Sequence, residues 1–259
     1  MVHTDPVRML RTSLTNQAVN LVEAAGHNVD GLRRRAATVA GAYRRLGSAG
    51  VAIALAGRLP RRLLSIEWYA VLETITPGDR TVPLLPGTRR AGVEDVAALA
   101  AVGQATADEV RRRLDHGDWA YIAVDDGVPV AYIWYRSGRW REDDLEFLLT
   151  DGERWGYDAF VLPSHRGRGI APALAVHALA DLKAAGVRRV VSVIDHLNDA
   201  SRRSAARYGA APICSFVTIA APGFGLVHER PAGAGRGSWR AHRGRGPVVR
   251  RPPPSPARG

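Results

Sequence analysis

The sequence has little cysteine, little lysine and no long apolar run. Its 259 residues include one cysteine, Cys214, which excludes an intramolecular disulfide and any zinc or iron–sulfur cage built from cysteines. No pair of histidines has the spacing of metal ligands, so we predict no metal. The apolar stretches fall short of the roughly 20 residues that cross a bilayer, and the first residues lack a secretory signal pattern. These absences favour a cytoplasmic protein.

Positive charge is concentrated in the last residues of the chain. The formal net charge is +11, but residues 230–259 hold eight arginines and no acidic residue. The first 229 residues therefore contain 28 of the 36 basic residues and all 25 acidic residues, which gives them a net charge of +3. The Arg-, Gly- and Pro-rich segment 229–259 cannot bury enough apolar surface to offset its conformational entropy, which predicts a disordered tail. We expect no specific nucleic acid partner and no membrane contact for it; attraction to RNA or to a membrane surface is the alternative.

The rest of the chain divides into a helical part and a mixed part. Residues 1–62 have capping residues and apolar stripes typical of helices, which predicts a helical N-terminal extension. Residues 63–228 follow the order strand, two helices, four strands, helix, strand, helix, strand. Asp126-Gly127 between two apolar runs predicts a hairpin. This order is typical of an α/β domain whose mixed sheet has helices on both faces.

The most informative segment runs from Val161 to Ala171, with the sequence V-L-P-S-H-R-G-R-G-I-A. A strand is predicted to end there, and a helix to begin near Gly169 after a glycine-rich turn. Glycine lets the backbone approach a ligand, and the first N–H groups of a helix are unsatisfied donors at the positive end of its dipole. The turn therefore suits a phosphate or pyrophosphate, and Arg166 and Arg168 add positive charge.

Two other phosphate-binding motifs do not fit this turn. A P-loop needs Gly-Lys followed by Ser or Thr, and the only lysine of the chain is Lys183. A dinucleotide fingerprint needs a third glycine, and Ala171-Pro172 stands where that glycine would help the helix to pack. A tight strand-to-helix turn without a ligand is the structural alternative.

The segment resembles the acyl-CoA pyrophosphate loop of the GNAT superfamily of N-acyltransferases. That loop has Arg or Gln, two residues, Gly, one residue, then Gly or Ala, matched here by Arg166, Gly169 and Ala171. A second segment also fits the superfamily, because Asn198 and Ser201 follow a predicted strand and open a helix. The resemblance covers about half of the chain.

The resemblance implies a fold and a reaction. The fold is a GNAT-like mixed, mainly antiparallel sheet flanked by helices, here with the added N-terminal helical segment. The reaction is transfer of an acyl group, most simply acetyl, from acetyl-CoA or another acyl-CoA to a primary amine of a small molecule or peptide. The N–H of Val161 is implied to polarise the thioester carbonyl. The residues implied to bind the coenzyme are Phe160, Val161, Arg166, Gly167, Arg168, Gly169, Ile170, Ala171, Asn198 and Ser201.

Three carboxylates are candidates for the base that takes the proton of the attacking amine. Asp158 is the first, because members of the superfamily often carry an acidic residue on the strand before the loop; Glu153 and Glu146 are the alternatives. The position most often held by glutamate is Tyr157 here, and pairing of Asp158 with a nearby arginine is its structural interpretation. His196, at a predicted strand end, is a minor candidate.

The superfamily often uses a tyrosine to protonate the departing thiolate, but that position is Ala205 here. Tyr208 lies one turn further along the same predicted helix face as Asn198 and Ser201. Tyr208 or a water is predicted to act instead, and packing of Tyr208 under the sheet is the alternative. Ala210 likewise replaces a phenylalanine that is frequent in the superfamily.

Other functions stay open on the sequence alone. With these departures, the domain could bind acyl-CoA as a catalytically weak sensor or regulatory module. The arginine tail offers a third function, in RNA or membrane binding. No acceptor signature is recognisable in the sequence, and a homodimer is left open.

Overall fold

The structure is a computed structural model. It describes residues 65–75, 87–103, 105–142, 145–233, 237–243 and 248–250. The chain separates into two compact units, Met1–Leu59 and Pro60–Gly259, and all described residues belong to the second. The predicted N-terminal helical segment, residues 1–62, lies outside the described residues.

The described residues form four α-helices and a larger number of strands. The helices are α1 (Val96–Val102), α2 (Ala107–Asp115), α3 (Ile170–Ala184) and α4 (Asp199–Arg207). Short 3₁₀ turns at Val93–Asp95 and Pro163–His165 precede α1 and α3. The strands are β1 (Ser65–Ile75), β2 (Arg89–Arg90), β3 (Trp119–Asp125), β4 (Val128–Arg136), β5 (Arg139–Glu142), β6 (Leu145–Leu148), β7 (Glu153–Val161), β8 (Arg189–Asp195), β9 (Ala211–Ala221), β10 (Phe224–Pro231), β11 (Ser238–Arg243) and β12 (Val248–Arg250).

Nine of these strands form one sheet, in the order β11-β10-β9-β1-β8-β7-β4-β3-β2. Neighbouring strands in it are antiparallel, except that β7 and β8 run parallel. A small second sheet has the order β12-β6-β5. The predicted fold class, a mixed and mainly antiparallel sheet flanked by helices, is confirmed.

Local sequence signals explain several element boundaries. Asp126 and Gly127 adopt φ values of 49° and 78°, as the two-residue turn of the predicted hairpin between β3 and β4 requires. The Thr106 hydroxyl accepts a hydrogen bond from the N–H of Glu109 and so caps α2. Gly186, with φ of 83°, follows the C-terminal end of α3.

The two faces of the sheet are covered by different elements. Helix α3 packs on one face, where Leu174 and Leu179 join Tyr135 of β4 in one buried cluster. Successive side chains of a strand point to opposite faces, so Trp134 lies on the other face, with α1 and α2. The hairpin β5–β6 covers that second face further along, where Phe147 contacts Trp155 and other buried residues.

Strand β1 fills a central position in the sheet. It pairs antiparallel with β8 on one side and with β9 on the other, and Val71 stands opposite Val193 and Cys214. Because β1 precedes all other described elements in the chain, β8 and β9 are joined through a strand that is distant in sequence.

Two boundaries differ from the sequence predictions. The strand predicted from Tyr157 begins at Glu153, because its first residues pair with β8. The tail predicted to be disordered over 229–259 contains the end of β10 and the strands β11 and β12, and this prediction needs correction. In the described part of this segment, β10 pairs with β9, β11 with β10 and β12 with β6. These backbone hydrogen bonds form without a large apolar surface, and composition alone does not reveal them.

Candidate functional site

The strands β7 and β8 separate in the middle of the sheet. Their parallel pairing runs from Glu153 opposite Arg189 to Gly156 opposite Ser192 and stops there. Beyond Ser192, β8 continues to pair with β1, and the rest of β7 continues to pair with β4. A V-shaped gap therefore opens towards the C-terminal ends of β7 and β8.

A bulge in β7 marks the start of this gap. Trp134 of β4 stands opposite Tyr157, but Tyr132 stands opposite Phe160, so β7 has one extra residue between these pairs. Asp158 lies in the bulge with φ of 44°, in the left-handed region that is costly for residues other than glycine.

The gap is part of a cavity of about 690 Å³ between the sheet, α3 and α4. Most of the predicted site residues line this cavity. They are Asp158, Phe160, Val161, Arg166, Gly167, Gly169, Ile170, Ala171, Asn198, Ser201 and Tyr208. Arg168, Glu153, Glu146 and His196 do not line it.

The glycine turn at the start of α3 forms one end of the cavity. Gly167 and Gly169 have φ values of 82° and 77°, and no atom lies within 4 Å of a Cβ built on either. Pro172 has no N–H, and the N–H of Ala173 donates to the Gly169 carbonyl. The N–H groups of Ile170 and Ala171 are therefore the free donors at the helix start, which fits a pyrophosphate.

The edge of β7 that faces the gap offers backbone hydrogen-bonding groups. The N–H of Leu162 donates to the Val130 carbonyl, 2.9 Å away, on the β4 side. Backbone groups alternate in direction along an antiparallel pair, so the N–H and C=O of Val161, opposite Ala131, point into the gap. The Nε of Arg166 donates to this Val161 carbonyl at 3.1 Å.

The arginines of the turn differ in their surroundings. The guanidinium carbon of Arg166 lies 5.6 Å from the centre of the Phe160 ring, close to the cavity. Arg168 points away from the cavity and lies 3.7 Å from Asp125, with 60% of its side chain exposed. Of the two, only Arg166 is placed to contact a ligand in the cavity.

Asp158 is held by two side chains on the face of the sheet that carries α1 and α2. One carboxylate oxygen accepts a hydrogen bond from Arg113 of α2 at 2.5 Å, and the other accepts one from the Tyr132 hydroxyl at 3.1 Å. Arg113 also donates to Glu109 at 3.1 Å. The Asp158 side chain remains 31% exposed, so a water or ligand can reach it.

The other predicted carboxylates lie outside the gap. Glu153, at the opposite end of β7, accepts hydrogen bonds from the backbone and hydroxyl of Thr150 and from Arg189. Burial raises the pKa of Glu153, but these hydrogen bonds and the charge of Arg189 outweigh it, and the pKa lies below its ordinary value. Glu146 forms an ion pair with Arg139, 2.9 Å away. Both carboxylates are engaged in structural pairs.

Helix α4 brings the second predicted motif to the cavity. The side-chain oxygen of Asn198 accepts from the N–H of Ser201 at 3.1 Å and caps the helix. Tyr208 follows the last turn of α4 and packs against the clusters under both α3 and α4. Burial raises the pKa of the Tyr208 hydroxyl to about 12, so it stays protonated at neutral pH. His196 instead stacks on Trp68, with ring centres 3.4 Å apart.

Several site residues were not anticipated from the sequence. Arg113 and Tyr132 hold Asp158, and Tyr135, Ser192 and Thr74 line the cavity. The alternation of β4 could have placed Tyr132 and Trp134 on one face. No sequence signal linked that face to Arg113 on α2.

The described residues contain no group of three or more His, Cys, Asp or Glu side chains that could hold a metal ion. Within the same part of the chain, no helix is both long and apolar enough to cross a bilayer.

Comparison with known families gives a match over part of the chain. Residues 94–210 match the family described as the Acetyltransferase (GNAT) family. No curated protein matches the chain.

Solved structures give partial superpositions. A GNAT-family protein from Novosphingobium aromaticivorans has a TM-score of 0.44 and 19% identity, covering 60% of this chain and 63% of its own. A GCN5-related N-acetyltransferase from Sphaerobacter thermophilus has a TM-score of 0.44 and 14% identity, covering 73% and 67%. A predicted acetyltransferase from Clostridium acetobutylicum, in a structure with acetyl-CoA, has a TM-score of 0.37 and 15% identity, covering 47% and 87%. The chain thus spans less than two thirds of the length of the first of these proteins.

Proposed function

We propose that the protein transfers an acyl group from acetyl-CoA, or another acyl-CoA, to a primary amine, because residues 94–210 match the Acetyltransferase (GNAT) family. The observation that carries this proposal is the cavity between β7 and β8, which opens onto the glycine turn of α3. The acceptor is a small molecule or a peptide.

The glycine turn is the proposed site of the coenzyme pyrophosphate. Gly167 and Gly169 leave space around the backbone, and the N–H groups of Ile170 and Ala171 are free to donate. The guanidinium of Arg166 lies next to this turn and adds a charge-assisted contact. Asn198 acts on the ligand indirectly, because its side chain caps α4.

The exposed backbone of Val161 is the proposed partner of the pantetheine arm and of the thioester. Its C=O and N–H point into the gap, where they can form with the pantetheine amides the hydrogen bonds that they would otherwise form with a neighbouring strand. An N–H in that position would stabilise negative charge on the thioester oxygen while the amine attacks. The fixed cavity contributes further by holding the two reactants in attack geometry.

Asp158 is the proposed proton acceptor for the attacking amine, directly or through a water. It lines the cavity, it is partly exposed, and Arg113 and Tyr132 keep its carboxylate in one position. Glu153 lies outside the cavity and is bound to Thr150 and Arg189, so we assign it a structural role.

Tyr208 is the proposed partner of the departing sulfur. A phenol with a pKa of about 12 is a weaker acid than an ordinary thiol, whose pKa is about 8.5. Tyr208 would therefore stabilise the thiolate mainly by donating a hydrogen bond, and water would supply the proton.

Calorimetry with coenzyme A tests the binding half of the proposal. We expect the wild-type chain to bind coenzyme A and Gly169→Glu to bind it at least tenfold more weakly, because a carboxylate at the turn repels the pyrophosphate. No heat with the wild-type protein, or equal binding by the variant, would overturn the proposed function.

Thiol release with a panel of amines tests the catalytic half. Asp158→Asn is expected to lower kcat/KM by about 10² to 10⁴, the usual contribution of a general base. Glu153→Gln is the matched control, since it changes a carboxylate of the same strand outside the cavity and is expected to leave kcat/KM within about twofold. An equal loss in both variants would contradict the role of Asp158.

A catalytically weak acyl-CoA sensor is the second candidate. The observation that favours it is the engagement of both Asp158 oxygens, one by Arg113 and one by Tyr132. Tight coenzyme A binding without thiol release for any amine would support the sensor over the enzyme.

A further inference from the structure

Three hydroxyl-bearing side chains line the inner end of the cavity. Tyr135 of β4, Ser192 of β8 and Thr74 of β1 line it from the face of the sheet that carries α3 and α4. Gly156 of β7 stands between Tyr135 of β4 and Ser192 of β8. The Cα atoms of Tyr135 and Ser192 are therefore two strand spacings apart, roughly 10 Å. Thr74 lies opposite Val190, two residues before Ser192 on β8. We call these three side chains the hydroxyl pocket.

Two side chains of the hydroxyl pocket are buried and Ser192 is half-buried, and none of the three has a hydrogen-bond partner among the described residues. Tyr135 is 2% exposed and Thr74 is 4% exposed. No hydrogen bond joins the hydroxyls of Tyr135, Thr74 or Ser192 to any part of the chain that the structure describes. A hydroxyl that lines a cavity without a protein partner can exchange hydrogen bonds with a bound group, so three such hydroxyls facing one cavity point to a polar ligand group.

The end of the cavity is closed by close packing around Gly156. A Cβ atom at this glycine would lie 3.3 Å from Cγ1 of Val190 and 3.4 Å from Cε1 of Tyr135. The side chains of Val190 and Tyr135 therefore pack against the β7 backbone at Gly156 and close the inner end of the cavity, and we call this closed end the end wall. The lining residues Leu174 and Leu179 of α3 are apolar, and Tyr208, which packs against the same cluster, adds another hydroxyl to the lining. Neutral hydroxyls are therefore the polar side-chain groups at this end.

Charged lining residues lie elsewhere in the cavity. They are on the glycine turn (His165 and Arg166), at the end of β8 (Asp195) and on the exposed side of α4 (Arg203 and Arg207). The Asp158 carboxylate is held on the opposite face of the sheet by Arg113. An acyl group with its own carboxylate would therefore be buried without a cation, which is unfavourable.

In the proposed function, on which this inference rests, acyl-CoA runs from the turn at α3 along β7 towards Gly156. The acyl group is then the part of the substrate that reaches the inner end of the cavity. We propose that the hydroxyl pocket selects a short acyl group that is longer than acetyl and carries a neutral hydroxyl or keto oxygen. Its hydroxyls would donate to and accept from that oxygen, and the end wall at Gly156 would limit the chain length.

Calorimetry with the full chain tests this specificity without knowledge of the acceptor. The probes are coenzyme A, acetyl-CoA, butyryl-CoA and 3-hydroxybutyryl-CoA. We expect 3-hydroxybutyryl-CoA to bind about three- to tenfold more tightly than butyryl-CoA, which corresponds to one net neutral hydrogen bond. Ser192→Ala and Thr74→Val each remove one hydroxyl with little change in shape, and each is expected to remove most of that difference.

Thr218→Val is the matched control for Thr74→Val. Thr218 is 1% exposed and its hydroxyl also lacks a partner, but it lies on β9 and does not line the cavity. This variant is expected to keep the wild-type ratio of the two affinities.

The outcomes separate this inference from the proposed function. Equal binding of butyryl-CoA and 3-hydroxybutyryl-CoA by the wild-type chain would overturn the hydroxyl pocket while leaving acyl transfer in place. If Ser192→Ala and Thr74→Val both still bind 3-hydroxybutyryl-CoA more tightly than butyryl-CoA, the proposed role of the hydroxyl pocket is also overturned. Failure of coenzyme A itself to bind would overturn the proposed function.

Discussion

The guanidinium of Arg113 on α2 contacts the carboxylate of Asp158 on β7 at 2.5 Å, across 45 positions of sequence. Asp158 is also the residue at which β7 bulges and begins to leave β8. A helix on one face of the sheet thus holds the strand at the point where the cavity opens. The ion pair fixes the bulge relative to α2 as well as orienting the carboxylate.

Arg113→Met is expected to weaken both activity and stability. Asp158 would keep only Tyr132 as a partner, and we expect kcat/KM to fall at least tenfold and the free energy of unfolding to fall by about 1–2 kcal/mol. Amine acylation assays and urea unfolding measure the two effects. Glu109→Gln is the control, because Glu109 contacts Arg113 but not Asp158. Wild-type activity in Arg113→Met would show that the ion pair is dispensable.

The conformation of Asp158 predicts an order of stability among its variants. Asp158→Gly and Asp158→Ala both lose the carboxylate, but only glycine adopts a φ of 44° without strain. We expect the glycine variant to be more stable by about 1 kcal/mol in urea unfolding. Asp126, with φ of 49° in the hairpin turn, should show the same order without a change in coenzyme A affinity. The prediction fails if the alanine variant is the more stable of the Asp158 pair.

The two glycines that flank α3 allow the effect of backbone strain on stability to be separated from the effect of the turn on coenzyme A binding. Gly169 and Gly186 flank the helix with φ values of 77° and 83°, and both have open space around a built Cβ. Alanine at either position is expected to cost about 1–2 kcal/mol of stability. Only Gly169→Ala should also weaken coenzyme A binding, because Gly186 is at the far end of the helix. Equal loss of coenzyme A affinity in the two variants would place the pyrophosphate elsewhere.

Tyr208 predicts a loss of stability at high pH. Burial raises the pKa of its hydroxyl from 10.0 to about 12, so the folded protein holds this proton more tightly than the unfolded chain. The stabilisation is full below pH about 10 and is lost as the pH rises through about 12. Over that range the wild type should lose about 2–3 kcal/mol more than Tyr208→Phe. Urea unfolding at several pH values measures this difference; parallel curves for the two proteins would contradict it.

The sequence predicted the parts of the site that depend on local order. The run from Arg166 to Ala171 places a glycine turn before a helix, and the structure has both, since turn and helix start depend on neighbouring residues. Asn198 likewise caps α4 as a side chain of its type usually does. Such features need no knowledge of the rest of the chain.

The parts that depend on distant contacts could not be predicted. Nothing near Arg113 in sequence indicates that it meets Asp158, because the contact arises only when α2 packs across β4 and β7. The hydroxyl pocket combines side chains of β4, β8 and β1, which are adjacent only after the sheet forms. The strands of the basic tail depend in the same way on distant partners, β11 on the edge of β10 and β12 on β6.

The central position of β1 has a practical consequence for any shortened form of this protein. A fragment limited to residues 94–210 would keep the glycine turn but lose the strand that β8 needs on its outer side. Unpaired backbone groups along β8 would then be free to join other chains, and the fragment should aggregate. A fragment that is meant to keep the cavity therefore has to begin upstream of Ser65.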